Sequence, residues 1–448
     1  MRVIILGAGA IGAHLADLFS KINQDIVVID DDDQKLERIQ ENCDLMTVHS
    51  SSNSPIKAMK DAKVGNADLF IAVTRDEYMN LSQCVLAHSL GASRTVAKVE
   101  NRELTAPQVV NAFSKAGVSS VIDPDNLAAL DIVNSLKMTW VRQRWDVHGG
   151  ALTLLGIKAW EGCEILNIPF KQVFKPDSPY HVVAIKRGND TIIPTGDDMI
   201  KTGDLVYFMT TRENVPSMKK IMGKSHYPDV KNVIIVGGGR TAVRVVNMLP
   251  DGIRAKIFES DPRRCEELTE LVNSNRVMVI NADGRSVSNL MEENIKSAHA
   301  FIALMGNAEA NILACLTAKE LGVPKTIAMV GNMDYVGIAG NVDIGTIVNK
   351  QALTASHIYQ LLLDGDVRNI RNLITVNADV AEFTAHQGSR ITMKKVRDLG
   401  FPVEAELGGL VRKGKGILVN GETMIEPGDN VVVFCHGTPI SKIEKYFK

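Results

Sequence analysis

The chain has 448 residues, enough for about three to four domains, with 45% hydrophobic and 23% charged residues, a composition ordinary for a soluble globular protein. Its formal net charge of −2 excludes nucleic-acid binding by bulk electrostatics. No uninterrupted apolar stretch approaches the roughly 18 residues that span a bilayer, and the first residues enter a strand pattern at once, which predicts no signal peptide. Cys43, Cys84, Cys163, Cys265, Cys315 and Cys435 are scattered, with no CxxC pair, so reduced thiols and a cytoplasmic setting are expected. Cys84 and His88 stand four apart on a predicted helix, but two ligands without a third read as packing rather than as a metal site.

Val3–Leu6 is an apolar, β-branched run, followed by Gly7, Gly9 and Gly12 in G-x-G-x-x-G spacing and then by a helical pattern with Leu15, Leu18 and Phe19 on one face. Strand, glycine turn and helix in this order make a candidate dinucleotide-binding unit. A second strand, Asp25–Ile29, ends at Asp30, 23 residues after Gly7, where an acid meets ribose hydroxyls. Asp31, Asp32 and Asp33 follow and suit the start of the helix QKLERIQEN. Four carboxylates here would repel a 2′-phosphate, so NAD or an adenosine di- or triphosphate fits better than NADP.

The pattern continues with a strand at Leu45–Val48, a polar turn HSSSNS, a short helix PIKAMKDAK and a buried-type strand DLFIAVT ending at Thr74. Ligands of open α/β sheets sit outside the carboxyl ends of strands, so Thr74, Asp76, Glu77 and Asn80 share an edge with the glycine turn. Asp76 suits either that edge or the cap of the helix YMNLSQCVLAHSLG. Lys98, in TVAKVEN, either approaches a phosphate or is a solvated charge, and SSVIDP closes the unit near Pro124. Asp125–Gln143 reads as one helix with a stripe of Leu127, Leu130, Val133, Leu136 and Trp140. Such a face needs a partner. Trp140 and Trp145 beside Arg142 and Arg144 suit interdomain packing better than a membrane surface. Residues 146–224 are short β segments broken by Gly, Pro and Asp, ending in the helix VPSMKKIMG, with no nucleophile elbow, HExxH or paired catalytic carboxylate.

At Asn232 the chain starts again. In NVIIVGGGRTA, Gly237 and Gly239 take the places of Gly7 and Gly9 at an offset of 230, with Ala242 for the third glycine. In KIFESD a second strand ends at Glu259, and later strands lead to Ala282–Asp283 and to Glu309 and Asn311 in NAEAN. The helix ALTASHIYQLLL and a β-rich tail follow, in which Gly428–Asp429 matches Gly203–Asp204 at an offset of 225. Repetition at so constant an offset means an internal duplication. The expected fold is α/β: two Rossmann-like doubly wound parallel sheets, each followed by a small α+β module. The expected segments are 1–124 and 228–350 for the Rossmann units, 125–145 and 351–368 for linking helices, and 146–227 and 369–448 for the modules.

This order resembles the RCK (or KTN) domain family, and the tandem form in one chain resembles the peripheral regulatory subunits of Trk-type bacterial potassium uptake systems. The motifs that carry the resemblance are the glycine turns with Asp30 and Glu259, the T-x-D-E turn at Thr74–Glu77, the E-x-N turn at Glu309–Asn311 and the two Gly-Asp strands. The resemblance implies binding of NAD(H) or ATP and ADP. It also implies self-association into a ring, a homotetramer, on the cytoplasmic face of a membrane potassium transporter subunit of TrkH or TrkG type. It puts phosphates at Gly7, Ala8, Gly9, Ala10, Ile11 and Gly12, ribose at Asp30 and further contacts near Val73, Thr74 and Lys98. In the second unit it puts them at Gly237, Gly238, Gly239, Arg240, Thr241 and Glu259. Two departures stand out: Ser50–Ser51 and Ala282–Asp283 where many such domains carry Gly-Asp, and a Glu77–Asn80 spacing one residue wider than Glu309–Asn311. The two sites therefore need not hold the same ligand. A regulator of a different cation transporter or channel is an alternative partner reading. An NAD-dependent oxidoreductase is an alternative activity, disfavoured because no acid–base constellation faces either turn.

Overall fold

The computed structural model describes residues 1–20, 24–51, 55–175, 178–362, 367–373, 376, 378–438 and 440–448. The polar turn HSSSNS lies partly, and the end of ALTASHIYQLLL at Leu363 wholly, outside them. The first sheet has six parallel strands: β1 (Arg2–Leu6), β2 (Asp25–Asp30), β3 (Met46–His49), β4 (Leu69–Ala72), β5 (Thr95–Lys98) and β6 (Ser120–Ile122). Their spatial order is 3-2-1-4-5-6, the doubly wound dinucleotide-binding order. Helices α1 (Ala10–Ser20), α2 (Asp33–Asn42), α3 (Pro55–Asp61), α4 (Glu77–Ser89), α5 (Pro107–Lys115) and α6 (Pro124–Leu136) follow the strands in turn. Val3, Ile4, Val27, Phe70 and Ile71 are fully buried, as expected of strands covered on both faces.

An antiparallel module comes next: β7 (Gln143–Val147), β8 (Leu152–Lys158), α7 (Phe170–Val173), β9 (Tyr180–Arg187), β10 (Asp190–Ile192), β11 (Leu205–Thr210) and α8 (Val215–Ile221). The second parallel sheet repeats the first with β12 (Asn232–Val236), α9 (Arg240–Met248), β13 (Arg254–Glu259), α10 (Pro262–Leu271), β14 (Val277–Asn281), α11 (Val287–Glu292), β15 (Ala300–Ala303), α12 (Ala308–Glu320), β16 (Lys325–Met329), α13 (Met333–Asn341), β17 (Thr346–Val348) and α14 (Lys350–Leu362). The second module has β18 (Val367–Leu373), β19 (Ala378–Thr384), β20 (Ala405–Arg412), β21 (Lys415–Leu418), β22 (Asn430–Cys435) and α15 (Ile440–Glu444). The module sheets run β10-β9-β11-β8-β7 and β21-β20-β22-β19-β18, one topology used twice.

Two expectations are corrected. The helix expected over Asp125–Gln143 stops at Leu136, and β7 begins at Gln143, the last residue of that expected helix. The apolar stripe is also redrawn. Ala128, Ala129, Ile132, Val133 and Leu136 form the buried face, whereas Leu130 is 49% exposed. Trp140 belongs to no helix and packs in the core of the first module with Phe170, Tyr180 and Phe208.

The chain forms two compact units: 1–127 with 350–362, and 128–349 with 363–448. In the first, α14 lies on α1. Phe19 and Tyr359 meet at 5.8 Å between ring centroids, and Lys350 Nζ reaches the buried Asp125 carboxylate at 2.9 Å. In the second, the two module sheets pack face to face through Val147, Leu152, Leu154, Val183 and Tyr207 against Val380, Val411, Val432 and Phe434. Equivalent positions meet there. Val183 and Gly408 are the extra residues of matching β-bulges, and a Cβ on Gly408 would touch Val183 Cγ1 at 3.0 Å. Beside them His181 Nε2 and Glu406 Oε1 pair at 2.8 Å.

Both Gly-Asp motifs are latches. Gly203 and Gly428 adopt φ of +89° and +90°, which only glycine reaches without strain. Asp204 then accepts two hydrogen bonds from Arg187, at 2.9 and 2.7 Å, and one from Lys201 N–H at 2.8 Å. Asp429 does the same with Arg412, at 2.9 and 2.7 Å, and Glu426 N–H, at 2.8 Å. Bidentate guanidinium–carboxylate pairs of this kind tie two strands in one geometry. Asp204→Ala and Asp429→Ala are each expected to destabilise their module by about 2–4 kcal/mol, because Arg187 or Arg412 loses its partner. Urea unfolding of the single variants measures this.

Candidate functional site

The glycine turns stand at the carboxyl edges of their sheets. Gly7 takes φ +112° and donates its N–H to the Ile29 carbonyl at 2.8 Å. It lies so close to the β4 exit that a Cβ would sit 3.0 Å from both Val73 C and Thr74 N. Gly12 is tighter still: a Cβ there would lie 1.8 Å from the Gly7 carbonyl oxygen. At Gly9 a Cβ would meet no atom within 4 Å. Two of the glycines therefore serve packing, and the one between them faces open space. The second turn repeats this. Gly237 has φ +99° and crowds Leu304 and Met305, while Gly239 is open. Arg240 and Thr241 begin α9, with Thr241 buried, and Ala242 is fully buried in the place of Gly12.

The acids that end the second strands clasp these turns. Asp30 accepts the Ala8 N–H at 2.5 Å through one oxygen and the Asp32 N–H at 3.0 Å through the other. Glu259 accepts Gly238 N–H at 2.8 Å and Asp261 N–H at 2.9 Å. The two clasps are compensated pairs. A Cβ on Gly238 would fall 2.4 Å from Leu268 Cδ1 and 3.1 Å from Glu259 Oε2, so the longer acid goes with glycine and the shorter Asp30 with Ala8. A carboxylate has about four acceptor positions, so each clasp leaves acceptor capacity for a hydroxyl.

Asn80 joins the remaining pieces. Fully buried, it accepts Thr74 N–H at 2.9 Å and Thr74 Oγ1 at 2.7 Å, and donates to the Lys98 carbonyl at 2.9 Å. Asn311 accepts Met305 N–H at 2.9 Å and donates to the Met305 and Met329 carbonyls at 2.9 and 2.8 Å. Asn80 and Asn311 are thus equivalent, each six residues past the residue it caps. The wider acid spacing noted in the sequence dissolves, because Glu77 and Glu309 are not counterparts. Glu77 accepts the N–H groups of Glu100 and Asn101, both at 2.8 Å, and Ala308 stands in its place in the second unit. Asp76 caps α4 through Tyr78 and Met79 N–H, and Asp32 caps α2 through Lys35 N–H. Lys98 is not a solvated charge: it is 8% exposed and its ammonium pairs with Glu100 at 3.1 Å.

The structure therefore gathers Gly7–Gly12, Asp30, Val73, Thr74 and the β5 end carrying Lys98 at one edge, and Gly237–Thr241 and Glu259 at the other. In the second unit, a cleft of about 310 Å³ is lined by Gly237–Gly239, Glu259, Ser260, Ala282–Arg285 and Leu304–Gly306. Its size, exposed glycine backbone and clasping acid fit a nucleotide. Arg285 forms a bidentate pair with Asp283 at the mouth, at 3.0 and 2.8 Å, and holds that carboxyl below its usual range. Sequence reasoning missed Arg285. The sign was Asp283–Gly284–Arg285 directly after β14. Burial pushes the Cys84 thiol up to about 12, and among the described residues no group of three or more His, Cys, Asp or Glu side chains is placed to hold a metal ion.

Gly12→Val is expected to cost about 3 kcal/mol or more, since its side chain must displace the Gly7 backbone, while Gly9→Ala changes stability by no more than about 0.5 kcal/mol. Asn80→Ala, which strands several buried partners, should cost about 2–4 kcal/mol. Thermal and urea unfolding of the three variants rank them.

Comparison with known proteins places the chain. The TrkA-N domain model matches residues 3–124 and 233–350, and the TrkA-C domain model matches 161–223 and 380–448. A Trk system potassium uptake protein TrkA from Halomonas elongata is 28% identical over 440 residues, covering 97% of this chain and 95% of that protein. The protein of the same description from Haemophilus influenzae is 28% identical over 457 residues, covering 100% and 99%. Among solved structures, the GsuK RCK domain superposes with a TM-score of 0.58 at 14% identity, covering 100% of this chain and 94% of that one. The GsuK channel bound to NAD superposes at 0.59 with 12% identity, covering 100% and 78%. No helix among the described residues is long and apolar enough to cross a membrane. Matched twice over by both domain models, across most of its length, the chain belongs to the family defined by the TrkA-N and TrkA-C domains.

Proposed function

We propose that this chain is the nucleotide-sensing peripheral subunit of a Trk-type potassium uptake system. The observation that carries the reading is the paired glycine turn, each closed by a strand-end acid and each open at its central glycine. In the first seat, the turn Gly7–Gly12 and the start of α1 supply backbone N–H groups for phosphates, and Asp30 offers its remaining acceptor positions to ribose hydroxyls. Val73, Thr74 and the Lys98 end of β5 form the far wall. In the second seat, Gly237–Thr241 and Glu259 take the same roles. Asp30–Asp33 disfavour a 2′-phosphate, so the ligands are NAD(H), ATP or ADP rather than NADP. Unequal clasps and unequal mouths, with Arg285 beside one of them, support different preferences in the two seats.

Four copies of the chain assemble as a ring on the cytoplasmic face of a membrane subunit of TrkH or TrkG type. Nucleotides move the ring between conformations by their differential affinity for them and so set the transporter's gate. The relatives from Halomonas elongata and Haemophilus influenzae are described as Trk system potassium uptake proteins, which supports a regulatory rather than an enzymatic reading.

The test is calorimetric titration of NAD, NADH, ADP and ATP into the purified chain, alongside potassium uptake in cells carrying the same variants. Gly9→Asp and Gly239→Asp each put a negative charge against the phosphates and should weaken one site at least tenfold, about 1.4 kcal/mol. Asp30→Ala should weaken the first site and spare the second. Binding of none of the four nucleotides, or binding indifferent to all three substitutions, sinks the proposal.

A further inference from the structure

A second cavity lies away from both glycine turns, between the first module and the second parallel sheet, within one compact unit. Its volume is about 280 Å³, and it opens to solvent. Lys158 and Lys186 reach it from the module sheet, where both pair with Leu205 in one row across β8, β11 and β9. Arg142 enters from the strand start, and Asp343 closes the far side after α13. Asp343 is shared by two cations, Arg142 at 3.0 Å and Lys319 at 2.6 Å. Asp204, the other carboxylate acting on Lys158, is taken up by Arg187. Lys186 donates to the Asn189 carbonyl at 2.7 Å and has Asp190 within electrostatic reach. Lys158 has no hydrogen bond or ion pair among the described residues, and Arg142 Nε is buried without a partner among them.

Positive charge is thus in surplus around a partly desolvated space. Burial, opposed in part by Asp343, lowers the Lys158 ammonium from its ordinary value, and burial lowers Lys186 too. The walls between the cations are bare. A Cβ on Gly188, Gly203 or Gly337 would meet no atom within 4 Å. The fold does not demand these lysines. By strand register, the second module has Thr384 in the place of Lys158 and Val411 in the place of Lys186.

We propose that this cavity is a separate ligand site for a small organic or inorganic anion bearing a diphosphate group, held by Lys158, Lys186 and Arg142. A ligand here touches the module sheet and α13 at once. It therefore stabilises the arrangement that brings them together, by its differential affinity for that arrangement. The site does not depend on the glycine turns binding anything.

The test uses the full chain carrying Gly9→Asp and Gly239→Asp, which weaken both turns, so that binding is ascribed to the cavity only where the cavity variants reduce it. Inorganic pyrophosphate and ADP are titrated calorimetrically. At least one probe is expected to bind saturably, and Lys158→Gln with Lys186→Gln should weaken it tenfold or more at an unchanged melting temperature. Gly337→Leu fills the bare wall without altering charge and should weaken binding as well, which keeps the test decisive if the lysine double variant fails to fold. Tighter ADP than pyrophosphate marks a nucleotide and equal affinities mark a free diphosphate; both support the site. Absence of saturable binding by either probe, or affinities within twofold across these variants, overturns it. Nucleotide binding at the turns of the unmodified chain is measured separately, so the two readings fail independently.

Discussion

A side-chain carboxylate that holds a backbone turn in place is the contact on which both seats depend. A glycine turn has many accessible conformations of its own, and its N–H groups converge only if something fixes them. Asp30 does this for Ala8, and Glu259 for Gly238, from strands that neighbour β1 and β12. On the opposite side, Asn80 and Asn311 pull the next strand ends into register, and those ends press against Gly7 and Gly237. The turn is therefore clamped from both neighbours before any ligand arrives. Preorganisation of this kind lowers the entropy cost of binding.

Duplication shows which details the fold requires. The parallel strand order, the bulge in β9 and β20, the Arg–Asp latches and the buried asparagines recur with matching geometry. Ala8 with Asp30 in the first turn corresponds to Gly238 with Glu259 in the second, a difference that keeps the clasp while shifting where the methyl and the carboxyl sit. Features present in one copy alone, such as Glu77 beneath Glu100 and Asn101 or Arg285 beside Asp283, are where the two seats diverge.

The parallel sheets were legible in the sequence because strands buried on both faces read as unbroken apolar runs, and glycine spacing plus a strand-end acid located both turns. The repeat was legible because so many marks recur at nearly one offset. The rest failed for physical reasons. QRWDV is polar and follows an apolar helix, so its first residue, Gln143, was absorbed into that helix. Leu130 joins the stripe by its hydrophobicity, whereas the small residues Ala128 and Ala129 are fully buried. The Glu-to-Asn comparison used the more conspicuous charge as its anchor, yet the buried amide carries the architecture. Lys98 offered two readings, and it is buried against Glu100 instead of being solvated. The cavity of Arg142, Lys158, Lys186 and Asp343 left no trace, since its residues lie far apart along the chain.

The pairing of His181 with Glu406 carries a consequence for why the two copies share one chain. These side chains occupy the same position in the two modules and meet across their local two-fold axis. Had either module paired with a replica of itself, histidine would face histidine, or glutamate would face glutamate, and the latter juxtaposition is repulsive. Covalent fusion frees each half to mutate against the other, so an acceptor can stand opposite a donor where identity would forbid it. The linkage thereby converts a self-complementary surface into a heterotypic one, and it biases each half toward its tethered mate over a like half from another molecule.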